Sequence, residues 1–362
     1  MKFTVNTSEL SKKLSVLSRI VATNNVIPIL GTILFQVEKD LTLTSSDSEI
    51  TIQTKLQMDD WDGEKFSFLA PAKLISDLMA CVSDSVMSFE LLRDSIIVDL
   101  SKGQYIFPSG NAQDFPPLPN LDAVSKTVLS SQVLQHGIAR TIFSMADDAL
   151  RPIINGVYIG IEGGISFAST DSYRISWVVG DILSGVDKHE FVISSKTANL
   201  LNSLSFKGLD EVSLESNTSH VVFHIGEYDV YSRLIEGKFP PFRSVIPQGE
   251  MNILTANKAE LLGAIKRVSV FSDKSKSLIR MSIGDKIVLS SEDMDMKHKA
   301  TESVACVYNG TPVDIGFKKD FLAGIISNIE LDEVTMHFTT SNKPVIFDYE
   351  HVKLVIIPLF IK

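Results

Sequence analysis

Cysteine is nearly missing from this 362-residue chain: there are two, Cys81 and Cys306, far apart and each in apolar surroundings. That excludes a scaffold held by disulfides and a cysteine-built metal centre, and both read as reduced core thiols of a cytosolic protein. Long apolar runs are missing too. The strongest is LVIIPLFI near the C-terminus, and the opening MKFTVNTSEL has no apolar core, so neither a membrane span nor an export signal is expected. Catalytic signatures are also lacking: no G-x-x-x-x-G-K-S/T loop, no H-E-x-x-H and no C-x-x-C occur. His220 and His224 stand four apart in the strand-like SHVVFHIG, a spacing that separates them by roughly 13 Å along one face. The acidic EDMD at Glu292 to Asp295 reads as a solvated turn. No catalysis, metal or cofactor is therefore expected.

What the chain has is repetition. LTLTSSDSE around Asp47, ISFASTDSY around Asp171 and IVLSSEDMD around Asp293 recur at intervals of 124 and 122 residues. Lys73, Lys196 and Lys318 recur at 123 and 122, each where a strand-like run gives way to a helical one. Phe115-Pro116-Pro117 returns as Phe239-Pro240-Pro241, and prolines that fix φ and withdraw a donor mark exits from folded units. A period of this length is domain-sized, which predicts three domains at 1–120, 127–247 and 248–362. With 44% hydrophobic and 22% charged residues, each is apolar enough to fold on its own core. The Ser-x-Asp turns have no recurrent histidine or second carboxylate nearby, so their aspartates read as turn formers.

Each copy opens with a strand and a helix of apolar period three to four: Leu10, Leu14, Leu17, Val21; Leu134, Ile138, Ile142; Leu261, Ile265, Val268. Caps are expected at Thr7 or Ser8, Ser130 or Ser131, and Thr255 or Asn257. Strands such as 33–37 and 41–44 follow, then a second helix at the recurrent lysine. The fold class is α+β, with two helices on a mostly antiparallel sheet in each copy. The net charge is −10. Over predicted helices at 9–21, 72–82, 132–143, 195–204, 258–271 and 318–327, eleven cations (Lys12, Lys13, Arg19, Lys73, Arg140, Lys196, Lys258, Lys266, Arg267, Lys318, Lys319) face four acids (Glu9, Asp77, Glu260, Asp320). The helices thus carry +7 and the remainder −17, a basic surface on an acidic body.

MKFTV, PILG at Pro28 to Gly31, FSMA at Phe143 to Ala146 with Arg151 and Asn155-Gly156 beyond, STDSYRI at Ser169 to Ile175, and GKFPPF at Gly237 to Phe242 together resemble the bacterial β sliding clamps. The resemblance runs the whole length of the chain. It implies three topologically similar domains and two chains joined head to tail in a ring around duplex DNA. The ring would be a homodimeric, cytoplasmic, non-catalytic processivity subunit of the DNA polymerase III holoenzyme, serving DNA replication. Its partners would be the replicative polymerase, a clamp loader and repair proteins carrying a short linear motif. The rival reading is an exported β-rich ligand-binding repeat protein, which predicts an export signal and disulfides.

The resemblance also carries residues over. The motif pocket would be formed by Arg151, Ile154, Thr170, Ser172, Tyr173, Arg174, Ile175, Pro240 and Val245 against Phe321, Pro344, Val355, Ile357 and Pro358. Ser172-Tyr173 stands where the family commonly has Gly-His, so Tyr173 is expected to narrow the entrance. Positions matching DNA contacts are Asn24, Lys73, Asp148, Pro152 and Ile153, and the helix cations Lys12, Arg140, Lys196 and Lys266 are added as phosphate partners. At the ring joint Tyr105 and Phe107 would face Val270, Phe271 and the 274–278 stretch with Leu278, because bare apolar edge strands aggregate unless paired.

Overall fold

A computed structural model describes residues 1–21, 27–83, 85–122, 125–182, 188–273 and 277–361. These form two compact units, 1–135 with 196–235 and 136–195 with 236–362. Six helices are present among them: α1 Thr7–Leu17, α2 Ala72–Cys81, α3 Ser131–Thr141, α4 Ser195–Ser203, α5 Lys258–Ser269 and α6 Lys319–Ser327. Among the described residues no helix is long and apolar enough to cross a membrane.

The helix starts follow local chemistry. Asn6 caps α1, its side chain accepting from the Glu9 amide at 3.1 Å, so Thr7 is the first helical residue rather than the cap. Asn257 caps α5 in the same way through Glu260 at 3.0 Å. Leu10, Leu14 and Leu17 are buried on α1, as Leu261, Ile265 and Val268 are on α5. Buried Lys13 occupies the place that Gly137 takes on α3. There the glycine is required, because a Cβ would stand 2.2 Å from the fully buried Phe167 ring. Leu43 holds the position of Phe167 in the first copy, so large and small residues exchange across the same contact.

The repeated Ser-x-Asp motif now has a physical account. Ser45, Ser169 and Ser291, all buried, donate their hydroxyls to the carbonyls of Leu17, Thr141 and Val268, where the first helix of each copy ends. The aspartates close the following turn. Asp47 Oδ1 accepts from the Glu49 and Ile50 amides, Asp171 Oδ1 from Tyr173 and Arg174, and Asp293 Oδ1 from Met296. One half of the motif locks a helix to the sheet and the other half reverses the chain. Inside these turns Ser48 and Ser172 adopt φ of 76° and 75°, the left-handed region that favours glycine. Ser48→Gly is expected to stabilise the protein by about 0.5–1 kcal/mol in urea unfolding. Ser172→Gly should gain less, because Ser172 Oγ accepts from Arg151 Nη1 at 2.9 Å.

Strand pairings among the described residues run across the copies. An eight-stranded sheet extends from Ser125–Ser130 to Phe66–Pro71 and is joined in its middle by Tyr228–Arg233 against Ile50–Leu56. A nine-stranded sheet is joined in the same way by Val352–Ile356 against Arg174–Val179. Smaller sheets end in strands paired on one side: Gly103–Pro108 in a five-stranded sheet and His298–Ala305 in a four-stranded one.

Two expectations need correction here. Lys73 and Lys196 are the second residues of α2 and α4, but the second residue of α6 is Asp320; Lys318 closes the preceding strand and is not their structural equivalent. Cys81 is exposed at the end of α2 rather than in the core. Cys306 is half-buried, and that burial pushes its thiol pKa up.

Candidate peptide-binding pocket and basic helices

In the second unit the turn between Ile165–Thr170 and Arg174–Val179 gathers most of the expected pocket. Thr170 Oγ1 accepts from the Ser172 amide at 3.0 Å and donates to the Arg174 carbonyl at 2.7 Å, fixing the turn. Arg174 forms a largely buried pair with Asp171, Nε and the far nitrogen each 2.9 Å from Oδ2. Its guanidinium lies 4.5 Å from the Phe321 ring centre and 5.7 Å from that of Phe143. Tyr173, half-exposed, covers Phe321 with ring centres 5.5 Å apart, and Lys318 Nζ sits 4.4 Å from the Phe321 centre. The Ile357 amide donates to the Tyr173 carbonyl at 2.9 Å, which draws the C-terminal segment alongside the turn. Ile175 and Val355 are buried cross-strand partners beneath it.

Of the other expected members, Pro358 lines a recess with Arg280, Asp314, Leu359 and Phe360 rather than with Tyr173 and Phe321. Ile154 is buried, and Arg151 is anchored on Asp148 at 2.9 and 2.7 Å. The Arg151 guanidinium holds the Asp148 carboxyl below its usual range. Pro240 and Val245 flank the turn at Phe242, whose ring meets Tyr158 at 5.7 Å and Trp177 at 5.8 Å. Pro344 is half-exposed ahead of Val345–Tyr349, and Pro358 is buried. Sequence reasoning missed Phe143, Lys318 as a pocket residue, and Gly324. A Cβ at Gly324 would lie 2.9 Å from Arg174 Nη1, so glycine makes room for the guanidinium. A glycine inside an otherwise apolar helix was the available signal. The arrangement is an aromatic ring covered by Tyr173 and two cations, over buried Ile175 and Val355.

The basic helices are less free than their composition implied. Lys13 is buried, paired with Glu227 and 4.7 Å from the Tyr228 ring centre. Arg140, expected as a phosphate partner, is mostly buried, pairs with Glu330 and donates to the Asn328 carbonyl at 3.1 Å. Lys196 lies 3.2 Å from Asp47 and 3.5 Å from Glu49. Burial pulls its pKa down, and the two carboxylates outweigh that so the net shift is upward. Lys73 is exposed and pairs with Asp77 one turn on, while Arg267 pairs with Glu302. Lys12 and Lys266 are exposed with no carboxylate partner among the described residues. Asp148 is an anion tied to Arg151, unsuited to a phosphate; Pro152 and Ile153 begin a short turn, and Asn24 lies outside the described residues.

The residues expected at the joint differ in exposure. Phe107 is buried in its own unit, whereas Tyr105 and especially Ile106 are exposed. Val270 and Phe271 are exposed, with Phe271 edge-on to His298 at 6.3 Å. Leu278 begins a strand paired on both sides, and residues 274–276 lie outside the described set. Among the described residues one end of that sheet is His298–Ala305, and the other, Val313–Lys318, takes a bridge from Leu359.

Three family profiles cover the chain: DNA polymerase III beta subunit, N-terminal domain over 1–119, central domain over 128–241 and C-terminal domain over 243–359. The "Beta sliding clamp" of a Synechocystis species is 26% identical over 96% of this chain and 95% of its own length. That of Pseudomonas aeruginosa is 24% identical over 94% of each. A crystal structure of the Pseudomonas aeruginosa DNA polymerase sliding clamp with ligand matches with a TM-score of 0.94 at 24% identity, covering 100% of both chains. One of the Thermotoga maritima DNA polymerase III beta subunit matches at 0.91 with 20% identity, again over 100% of both. The chain belongs to the DNA polymerase III beta subunit family, the sliding clamps, non-catalytic processivity subunits of that polymerase.

Proposed function

We propose that two copies of this chain, each built of domains 1–120, 127–247 and 248–362, close head to tail into a cytoplasmic ring that encircles duplex DNA. The ring tethers the polymerase, the clamp loader and repair proteins through the Tyr173–Phe321 pocket. What carries the reading is the register of the two joints inside the chain. Tyr228 lies opposite Thr54 and Ser232 opposite Ile50; Val352 lies opposite Val178 and Ile356 opposite Arg174. Every residue of the second joint stands 124 positions beyond its counterpart in the first. The same rule applied once more pairs the two free edges. Gly103, opposite Leu100, holds the hairpin place of Tyr228 and Val352, and Ala300, opposite Ser291, holds that of Ile52 and Ser176. Tyr105 of one copy would then face Ala300 of the next, with Phe107 at His298 and Gly103 at Glu302. A heterologous contact repeated at equal steps closes into a ring or runs on as a filament, and three nearly equal domains favour closure.

Lys12 and Lys266 are the exposed helix cations best suited to loose, water-bridged phosphate contacts, which hold duplex without arresting it. The test is to load the protein onto nicked circular DNA with a clamp loader and then linearise the circle. Rapid loss on linearisation is expected from a ring held by topology. Equal retention on both forms, or a monomer in sedimentation, overturns the proposal.

A further inference from the structure

Each Ser-x-Asp turn commits one carboxylate oxygen to the chain reversal and leaves the other for a cation. Asp47 Oδ1 holds the Glu49 and Ile50 amides, while its Oδ2 lies 3.2 Å from Lys196 Nζ, which is also 3.5 Å from Glu49. Lys196 is the second residue of α4, in the copy whose strand Tyr228–Arg233 lies against Ile50–Leu56. This ion pair therefore crosses the first joint beside the paired strands. At the second joint Asp320 holds on α6 the place that Lys196 holds on α4, so no cation comes across. Asp171 takes one from its own turn instead, Arg174 at 2.9 Å from Oδ2.

The third turn has the oxygen and lacks the cation. Asp293 Oδ1 accepts from the Met296 amide at 3.0 Å, and among the described residues no lysine, arginine or histidine stands within ion-pair distance of its carboxylate. Asp295, two residues on as Glu49 is from Asp47, is exposed and also without a cation at that distance among the described residues. Three acids (Glu292, Asp293, Asp295) stand beside two lysines (Lys297, Lys299), so the turn keeps a net negative charge. The helix placed to supply a cation is α2, in the copy whose edge strand Gly103–Pro108 the repeat sets against His298–Ala305. Its second residue is Lys73, 81% exposed and paired at 3.3 Å only with Asp77 one turn on, itself 66% exposed. An exposed pair of this kind contributes little and is easily exchanged.

We infer, resting on the head-to-tail joint proposed above, that Lys73 of one copy leaves Asp77 and bridges Asp293 and Asp295 of the next. Two such bridges fasten the ring, one at each joint between copies. Lys73 is then a residue of the joint and not a phosphate contact. Enclosure between subunits shields the bridge from solvent, which strengthens an attraction that an exposed pair loses to screening.

Sedimentation of the full-length chain over a dilution series tests the bridge through a double-mutant cycle. Asparagine at 293 keeps Oδ1 for the turn and removes the charge. Asp293→Asn should weaken the dimer about fivefold and Lys73→Met about tenfold, since each substitution acts at both joints. In the Lys73→Met background the further cost of Asp293→Asn should fall below about twofold. Lys73→Glu, set against two carboxylates, should weaken the dimer about a hundredfold, and adding Asp295→Lys should recover about tenfold of that. Unchanged melting temperatures assign these losses to assembly. Costs of Lys73→Met and Asp293→Asn that simply multiply, in a dimer that the edge-strand substitution Ile106→Pro still dissociates, overturn the bridge and leave the joint standing. A dimer indifferent to Ile106→Pro sinks the joint and the bridge together. A Lys73→Met protein that dimerises like the wild type yet loads poorly onto nicked circular DNA also overturns the bridge, returning Lys73 to the phosphates.

Discussion

Ile106→Pro should leave each chain folded and turn the dimer into monomers. The strand Gly103–Pro108 is paired on one side only, to Ser95–Leu100, through a hairpin closed at Leu100 and Gly103. In such a two-residue hairpin the bonded pairs alternate, so the amides of Gln104 and Ile106 point away from the partner strand. Proline at 106 therefore removes a donor that the chain itself does not use, and edge strands tolerate it. Across the joint the same donor would be needed to continue the ladder onto His298–Ala305 of the next copy. Loss of that bond together with the steric demand of the ring costs about 3 kcal/mol, or more than a hundredfold in dimer affinity. Sedimentation equilibrium reads the outcome, with thermal melting as the check on the fold. Leu278→Ala serves as the contrast: it lies in a strand paired on both sides, so it should lower stability without a selective effect on assembly. A dimer unmoved by Ile106→Pro would mean that some other surface joins the subunits.

Phe321→Ala should weaken binding of a Leu/Phe-type motif peptide by about 2 kcal/mol, near thirtyfold, while the dimer persists. The ring is the common contact of Tyr173, Arg174 and Lys318, so its removal disperses the pocket rather than subtracting one surface. Arg174 keeps its Asp171 pair, which holds the turn and the fold in place. Calorimetric titration gives the affinity. An unchanged value would show that the peptide sits elsewhere, on the side of Pro240 and Val245. Tyr173→Ala gives a second reading of the same geometry: uncovering Phe321 should speed peptide association, as expected of a side chain that narrows the entrance.

The triplication was legible because an interval depends on no contact. Ser45, Ser169 and Ser291 recur in sequence for the same reason that they recur in space: each holds the end of a helix against a strand. The turn at the expected pocket was legible, since Thr170, Ser172, Tyr173 and Arg174 are neighbours in the chain. Its filling was not. Phe143 and Gly324 are remote in sequence from Arg174, and only packing brings them to one guanidinium. Lys318 shows the limit of the ruler, because a lysine near the expected interval fell on the strand side of the boundary and Asp320 took the helical place.

Composition and order alone determined the repeat, the α+β class, the absence of the scanned catalytic signatures and the family. These follow from residue type and spacing, which are properties of the unfolded chain as much as of the folded one. Which charges stay free was decided by tertiary structure. Lys13, Arg140 and Lys196 count as basic helix residues in any census, yet Glu227, Glu330 and Asp47 neutralise them from other strands and loops. The joint was decided in the same way. An apolar strand in sequence can be core or edge; the sheet order makes Gly103–Pro108 and His298–Ala305 the open ladders, because hydrogen-bond pairing is satisfied between segments and not within them, and alternation along the strand then buries Phe107 and exposes Ile106.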